Sequence, residues 1–241
     1  MTLNDRPCVA PISPSTKDVL DIGTGTGIWA IEFTDEHPNA DVLGTDLSPI
    51  QPSWIPPNCH FEVDDAEEIW QFGKQFDLVH GRMLFMGLHN WQRFFQQCWE
   101  NLKPGGWLEV QEAQFPLRCA DDTTARPESA YVMWNDDIME GARLAGINPC
   151  ASSSFAEQIK NAGFINVKEE GAMWAIGPWP KGHKEKQIGR YTQSNLLQGL
   201  QGISIAFFTR HLHWSRKTVE LSLVEVRKEL RDTNNHLFIQ A

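Results

Sequence analysis

No basic stripe runs through this chain. Acids outnumber bases by 31 to 21 and leave a net charge of −10. The counterion-releasing surface that direct nucleic-acid binding requires is therefore missing, and strongly anionic substrates are disfavoured for the same reason. No run of about 18 apolar residues exists, which excludes a membrane-spanning helix. The opening Met-Thr-Leu-Asn-Asp-Arg-Pro lacks the basic-then-apolar order of a secretory signal. Cysteine is scarce, and its five positions (Cys8, Cys59, Cys98, Cys119, Cys150) are odd in number and irregularly spaced. They form neither a disulfide framework nor a metal pattern, and they read as reduced thiols of an intracellular protein, in cytoplasm or nucleus. Repeats, low-complexity runs and linkers are also absent. A hydrophobic share of 41% and a charged share of 22% describe an ordinary globular chain. Its length suits one α/β domain with additions.

What is present is a glycine turn. The short apolar strand Val19-Leu20 ends at Asp21, and Gly23, Gly25 and Gly27 alternate before Ile28-Trp-Ala-Ile-Glu-Phe33 opens a helix. Such a turn sets glycine N–H groups and a helix N-terminus against a ligand with no side chain to hold it off. The spacing is GxGxG with an acid two residues ahead, whereas a dinucleotide turn reads GxGxxG. That acid can accept from the ammonium of an amino-acid-bearing nucleoside, and S-adenosylmethionine (SAM) is such a ligand. NAD suits neither this spacing nor the acids that follow.

From Asp18 to about Gln114 strand-like and helix-like segments alternate, the pattern of a parallel sheet covered by helices. Residues 1–17 are polar, carry Pro7, Pro11 and Pro14, and read as a lead-in arm. Strands are expected at Asp18, at Val42–Asp46, at His60–Val63, at Phe76–His80 and at Trp107–Gln111. A proline-rich connection, Pro49 to Pro57, leaves room for a short helix at most. Asn90 caps a helix whose Trp91, Phe94, Phe95, Cys98, Trp99 and Leu102 share one face, and Pro104-Gly105-Gly106 stops it. Beyond Phe115 the rhythm changes. A helix starts near Pro127 with Tyr131, Trp134, Ile138, Ala142 and Ala145 on one face, and another spans about Ser154–Ala162. Phe164–Val167 reads as a strand, Trp174–Pro180 as a loop, Val219–Leu230 as a helix opened by Ser215, and His236–Gln240 as a last strand.

The carboxyl ends of these strands gather polar residues, where open parallel sheets bind ligands. Asp46 ends the second strand nineteen residues beyond Gly27, close to the offset at which an acid meets ribose hydroxyls; spacing and strand-end placement both favour that role over a turn or helix cap. Asp64-Asp65-Ala66 follows the third strand and either accepts from an adenine amine or caps a helix before Glu67-Glu68. His80 and Arg82 leave the fourth strand. His80 suits a general base near neutrality, and Arg82 suits a carboxylate of cofactor or acceptor. Glu112 and Gln114 stand in the same relation past the fifth strand. Trp134, Trp174 and Trp179 are candidates for an aromatic acceptor wall, against the commoner role of aromatics as core.

With these residues in place the chain resembles class I SAM-dependent methyltransferases, and within them the LaeA-like group associated with fungal secondary metabolism. The resemblance rests on Val19–Ile31, Gly44–Pro52, Asp64–Ala66, Phe76–Met83, Leu102–Trp107, Ile176–Lys181 and Ile188–Tyr191, nearly the whole chain. It implies a Rossmann-like α/β sheet of strand order 3-2-1-4-5-7-6, with helical additions in the C-terminal half. SAM would meet Asp21, Gly23, Gly25 and Gly27 with its methionine part, Asp46 with its ribose and Asp64 or Asp65 with its adenine. Thr24, Leu47 and Ala66 complete the cofactor set, and no metal is expected. The resemblance implies methyl transfer to oxygen or nitrogen of a small secondary metabolite, with His80 as base, or else a LaeA-like regulator that keeps the fold without a small acceptor. Members of that group carry N-terminal helices and a longer last strand. Residues 18–241 therefore read as one domain shortened at both ends, with an open cofactor cleft. An apolar patch near the termini is expected to favour a protein partner or self-association.

Overall fold

Val19, Leu20 and Ile22 are buried on both faces of their strand, as the middle strand of a parallel sheet must be. A computed structural model of the chain describes residues 6–121 and 128–241. The described residues fall into two compact units, one within Leu3–Glu112 together with Ser153–Glu169, the other within Ala113–Ser152 together with Glu170–Ala241.

In chain order the first unit holds β1 (Asp18–Ile22), α1 (Ile28–Glu36), β2 (Asp41–Asp46), β3 (Cys59–Val63), β4 (Phe76–Arg82), α2 (Trp91–Asn101) and β5 (Leu102–Gln111). The chain then supplies β6 (Gln114–Cys119) and α3 (Ala130–Leu144) to the other unit and α4 (Phe155–Asn161) to the first. It finishes in the second unit with β7 (Met173–Ala175), α5 (His183–Arg210), α6 (Arg216–Arg231) and β8 (Leu237–Gln240).

The first sheet has the order β3-β2-β1-β4-β5, every pair parallel. One row of side chains, Val42, Val19, Leu78 and Trp107, follows from the register and packs with Trp29, Ala30 and Phe33 of α1. The expected 7-6 end takes a different form. β8 lies between β6 and β7, antiparallel to both, in a separate three-stranded sheet. Only Glu112 and Ala113 separate β5 from β6 in the chain.

Local chemistry accounts for most boundaries. The Asn90 side chain accepts from Arg93 N and caps α2, while Phe94, Phe95 and Cys98 face inward. The helix ends one residue early, and Leu102 opens β5 directly, so Gly105 (φ 84°) sits within a strand irregularity instead of a helix cap. Phe164–Val167 is not a strand, because Asn166 is left-handed (φ 57°) and interrupts extended backbone. A strand that pairs with β8 lies later, at Met173–Ala175, and overlaps the start of the expected loop. In the second unit α3, α5 and α6 pack on one another around Tyr131, Ile138, Leu200, Phe208 and Leu223. Glu229 of α6 accepts from Ala130 N and Tyr131 N and so caps α3; Pro127, where that helix was expected to start, lies outside the described residues.

The described part of the arm is not loose. Cys8 is buried with the α1 core, Ala10 and Ile12 pack against it, and Trp29 Nε1 donates to Pro7 O at 2.7 Å. Among the described residues, Leu237 and Ile239 are buried too, while Val9 is exposed. No helix there is long and apolar enough to cross a membrane.

Candidate cofactor site

The glycine loop is built by three left-handed residues, Gly23 (φ 63°), Gly25 (φ 58°) and Gly27 (φ 78°). Thr24 N donates to Thr45 O (2.9 Å) and Gly27 N to Thr24 O (2.9 Å), which tie the loop to β2 and to α1. A Cβ at Gly23 would run into Leu84, and one at Gly27 into Phe61, so these two glycines serve packing. A Cβ at Gly25 would meet nothing within 4 Å. This open face lies where α1 begins without any side-chain cap, leaving first-turn N–H groups for an outside acceptor.

Gly25 is held from both sides. Its N–H donates to Asp46 Oδ2 (2.9 Å), and its carbonyl accepts from Gln51 Nε2 (2.7 Å). Asp46 Oδ1 accepts from Ser48 N, and Leu47 beside it is 68% exposed. At the end of β3, Asp64 Oδ1 accepts from Asp65 N, whereas Asp65 Oδ1 turns onward to Glu67 N, each at 2.9 Å. Asp65 is therefore a turn-capping acid, and Asp64 borders a cavity of about 490 Å³ together with Leu43, Ile69 and Phe72. The Ala66 carbonyl accepts from Trp70 Nε1 and Gln97 Nε2.

Two expectations change here. Asp21 is 2% exposed, and its carboxylate accepts from Thr24 Oγ1 (2.6 Å) and from His80 Nδ1 (2.7 Å). It braces the loop from beneath. His80 is fully buried and stacked on Trp29, with ring centroids 3.7 Å apart and planes 3° from parallel. A base must reach the proton it removes, and His80 has no open face from which to do so. Arg82 at the end of β4 is exposed. Glu112 accepts from Leu84 N (2.8 Å) and Phe85 N (3.1 Å), and this fixes the turn whose Leu84 packs on Gly23. Burial pushes its carboxyl up to about 8, against those two N–H groups. The three tryptophans belong to the other unit. Trp134 is core, its Nε1 bonded to Ser204 Oγ; Trp179 Nε1 donates to Leu237 O; Trp174 is half-buried on β7. Gln114 is on β6 and accepts from Arg118. Among the described residues no group of three or more His, Cys, Asp or Glu could hold a metal.

Gln51, Trp29 and Glu109 went unnoticed in the sequence. A signal existed for Glu109, since an acid amid a strand expected to be buried needs a dedicated partner. Gln51 sits in the quoted Gly44–Pro52 segment, but only the folded loop brings it to Gly25.

Residues 5–169 match the Methyltransferase domain family. "Methyltransferase pytC" of Aspergillus terreus is 35% identical over 235 residues, covering 97% of this chain and 72% of that protein. "Secondary metabolism regulator LAE1" of Cochliobolus heterostrophus is 37% identical over 225 residues, covering 91% and 73%. Among solved structures, phosphoethanolamine N-methyltransferase 2 of Haemonchus contortus, determined with phosphomonomethylethanolamine and S-adenosylhomocysteine, has a TM-score of 0.52 at 17% identity. It matches 96% of this chain, which spans 48% of that one. The fold is that of the class I SAM-dependent methyltransferases. The chain belongs to the methyltransferase domain family, among relatives that serve fungal secondary metabolism.

Proposed function

We propose that the protein binds SAM in the cradle over Gly25 and transfers its methyl group to oxygen or nitrogen of a small secondary metabolite. The open face at Gly25, between an uncapped helix start and Asp46, carries this reading. In it, Asp46 accepts from the ribose hydroxyls beside Leu47, and the outer oxygen of Asp64, in preference to Asp65, accepts from the adenine amine. The sulfonium makes the methyl electrophilic, so the protein's task is to align an acceptor lone pair and exclude water. With His80 buried, the site suits an acceptor that arrives with its lone pair free, such as an amine, or one oriented by Arg82. Titration calorimetry with SAM, S-adenosylhomocysteine and NAD, followed by methyl-release assays on phenolic and amine metabolites, tests the reading. Preference for NAD over SAM, or no binding of either SAM or S-adenosylhomocysteine, would refute it.

A second reading is a LaeA-like regulator that binds SAM and works through a protein partner. The likeness to LAE1 supports it, as does the proline-rich loop that holds Trp54 95% exposed beside Ile50. Under this reading SAM binds, but no metabolite is methylated. Neither reading includes direct contact with nucleic acid or membrane.

A further inference from the structure

Three polar side chains stand in one row across the parallel sheet, one step nearer its carboxyl edge than the apolar row beneath α1. The register pairs Asp21 with His80 and His80 with Glu109, and side chains of paired parallel residues project to the same face. All three are under 10% exposed. Buried polar groups in such a place cost stability unless they are bonded, and here the bonds lead outward in both directions. Glu109 accepts from Val9 N (2.8 Å) and Ala10 N (2.7 Å) of the N-terminal segment. Asp21 accepts from Thr24 of the glycine loop (2.6 Å). Trp29 lies flat on His80 and donates to the carbonyl of Pro7. Among the described residues His80 Nε2 has no hydrogen-bond partner.

We propose that this row is a positioning device for the cofactor loop. Residues 7–10 form a strap clamped by Glu109 and Trp29. Trp29 holds the His80 ring, and His80 holds Asp21 in the one orientation that braces Thr24 and the left-handed turn around Gly25. His80 and Trp29 are positioning residues, and neither touches the acceptor. The proposal deepens the SAM reading and rests on it for the identity of the ligand, but the grip of the row on the loop is measurable without ligand.

The experiment combines amide hydrogen exchange over residues 7–12 and 23–31 of the free protein with calorimetric binding of S-adenosylhomocysteine. His80→Phe keeps the stack on Trp29 and loses the bond to Asp21. His80→Asn keeps a donor for Asp21 and loses the stack. Trp29→Phe loses the bond to Pro7. His80→Phe should speed exchange in the glycine loop and weaken S-adenosylhomocysteine by about tenfold each, the lower end for losing a hydrogen bond to a charged group. His80→Asn should recover most of both. Trp29→Phe should speed exchange first in residues 7–12 and, by a smaller factor, in the loop. Loop exchange and affinity unchanged in His80→Phe, or exchange sped and affinity lowered just as much by His80→Asn, would overturn the proposal. If His80→Phe does not fold, Trp29→Phe decides by the same readouts, and a loop indifferent to it overturns the proposal. A wild-type protein that ignores S-adenosylhomocysteine, while the loop of the His80→Phe variant loosens as expected, overturns the SAM reading and supports the grip.

Discussion

Alanine at Gly25 separates binding from folding more cleanly than any other single change in this protein. The residue is left-handed at φ 58°, and an L-side chain there costs about 1–2 kcal/mol. Restricting the unfolded chain offsets about 0.4–1 kcal/mol of that. No atom within 4 Å resists the new methyl group in the free protein, so no packing clash is added. The net loss is on the order of 1 kcal/mol, or about 2–4 °C in Tm for a chain of this size. A bound nucleoside meets a different situation, because the methyl group occupies the face over which the ligand must lie. Forcing one extra carbon into such a contact costs about 1–3 kcal/mol, which is roughly a 5- to 150-fold loss of affinity. Gly105 is the matched control. It too is left-handed (φ 84°) with nothing within 4 Å of a Cβ, but it lies toward the amino end of β5. Gly105→Ala should lower Tm by a similar amount and leave affinity alone. Scanning fluorimetry and calorimetry with S-adenosylhomocysteine measure both quantities. Equal affinity in Gly25→Ala and wild type, or equal loss of affinity in the two variants, would refute the placement of the ligand.

Asp46→Ala removes the acceptor for Gly25 N and Ser48 N as well as the proposed ribose contact. It should weaken S-adenosylhomocysteine by about 1.5–3 kcal/mol, the scale for hydrogen bonds to a charged group, and calorimetry on the folded variant reads it. Asp64→Ala should weaken binding more than Asp65→Ala, whose carboxylate is spent on Glu67 N; comparable losses would reassign the adenine contact. Glu112 titrates higher in the folded chain, near 8, than the carboxyl does unfolded, because burial disfavours its charge. Its contribution is therefore fully present below the unfolded value and is lost as pH rises toward 8. Thermal stability should fall between pH 5 and 8, and Glu112→Gln should flatten that fall. Asp77 moves the other way. Burial raises its carboxyl, but the N–H groups of Asp18 and Lys17 and the Lys103 ammonium outweigh it and hold it low. The stability it adds is present above the ordinary carboxylate range and should disappear in an acid titration below it, less so in Asp77→Asn.

The order of the first five strands and the glycine turn were legible because they are local. A strand end and a glycine that must turn left-handed each carry their reason within a few residues. The capped helix of Trp91 was legible for the same reason: Asn90 and the 3.6-residue spacing act within one segment. What sequence alone determined about this protein is thus its parallel α/β frame and the glycine turn at the carboxyl edge of that frame.

Only the tertiary structure decided the rest. Whether His80 looks at a substrate or at Asp21 depends on β4 pairing with β1 in one register and on Trp29 arriving from α1 to close the ring's face. That the polar, proline-broken arm packs in place depends on Glu109, about a hundred positions away in the chain. That β8 joins β6 and β7 in a sheet of their own depends on a ladder broken across Glu112-Ala113. These are non-local pairings, and a linear pattern of residue types carries propensity and period but not the partner that burial will supply.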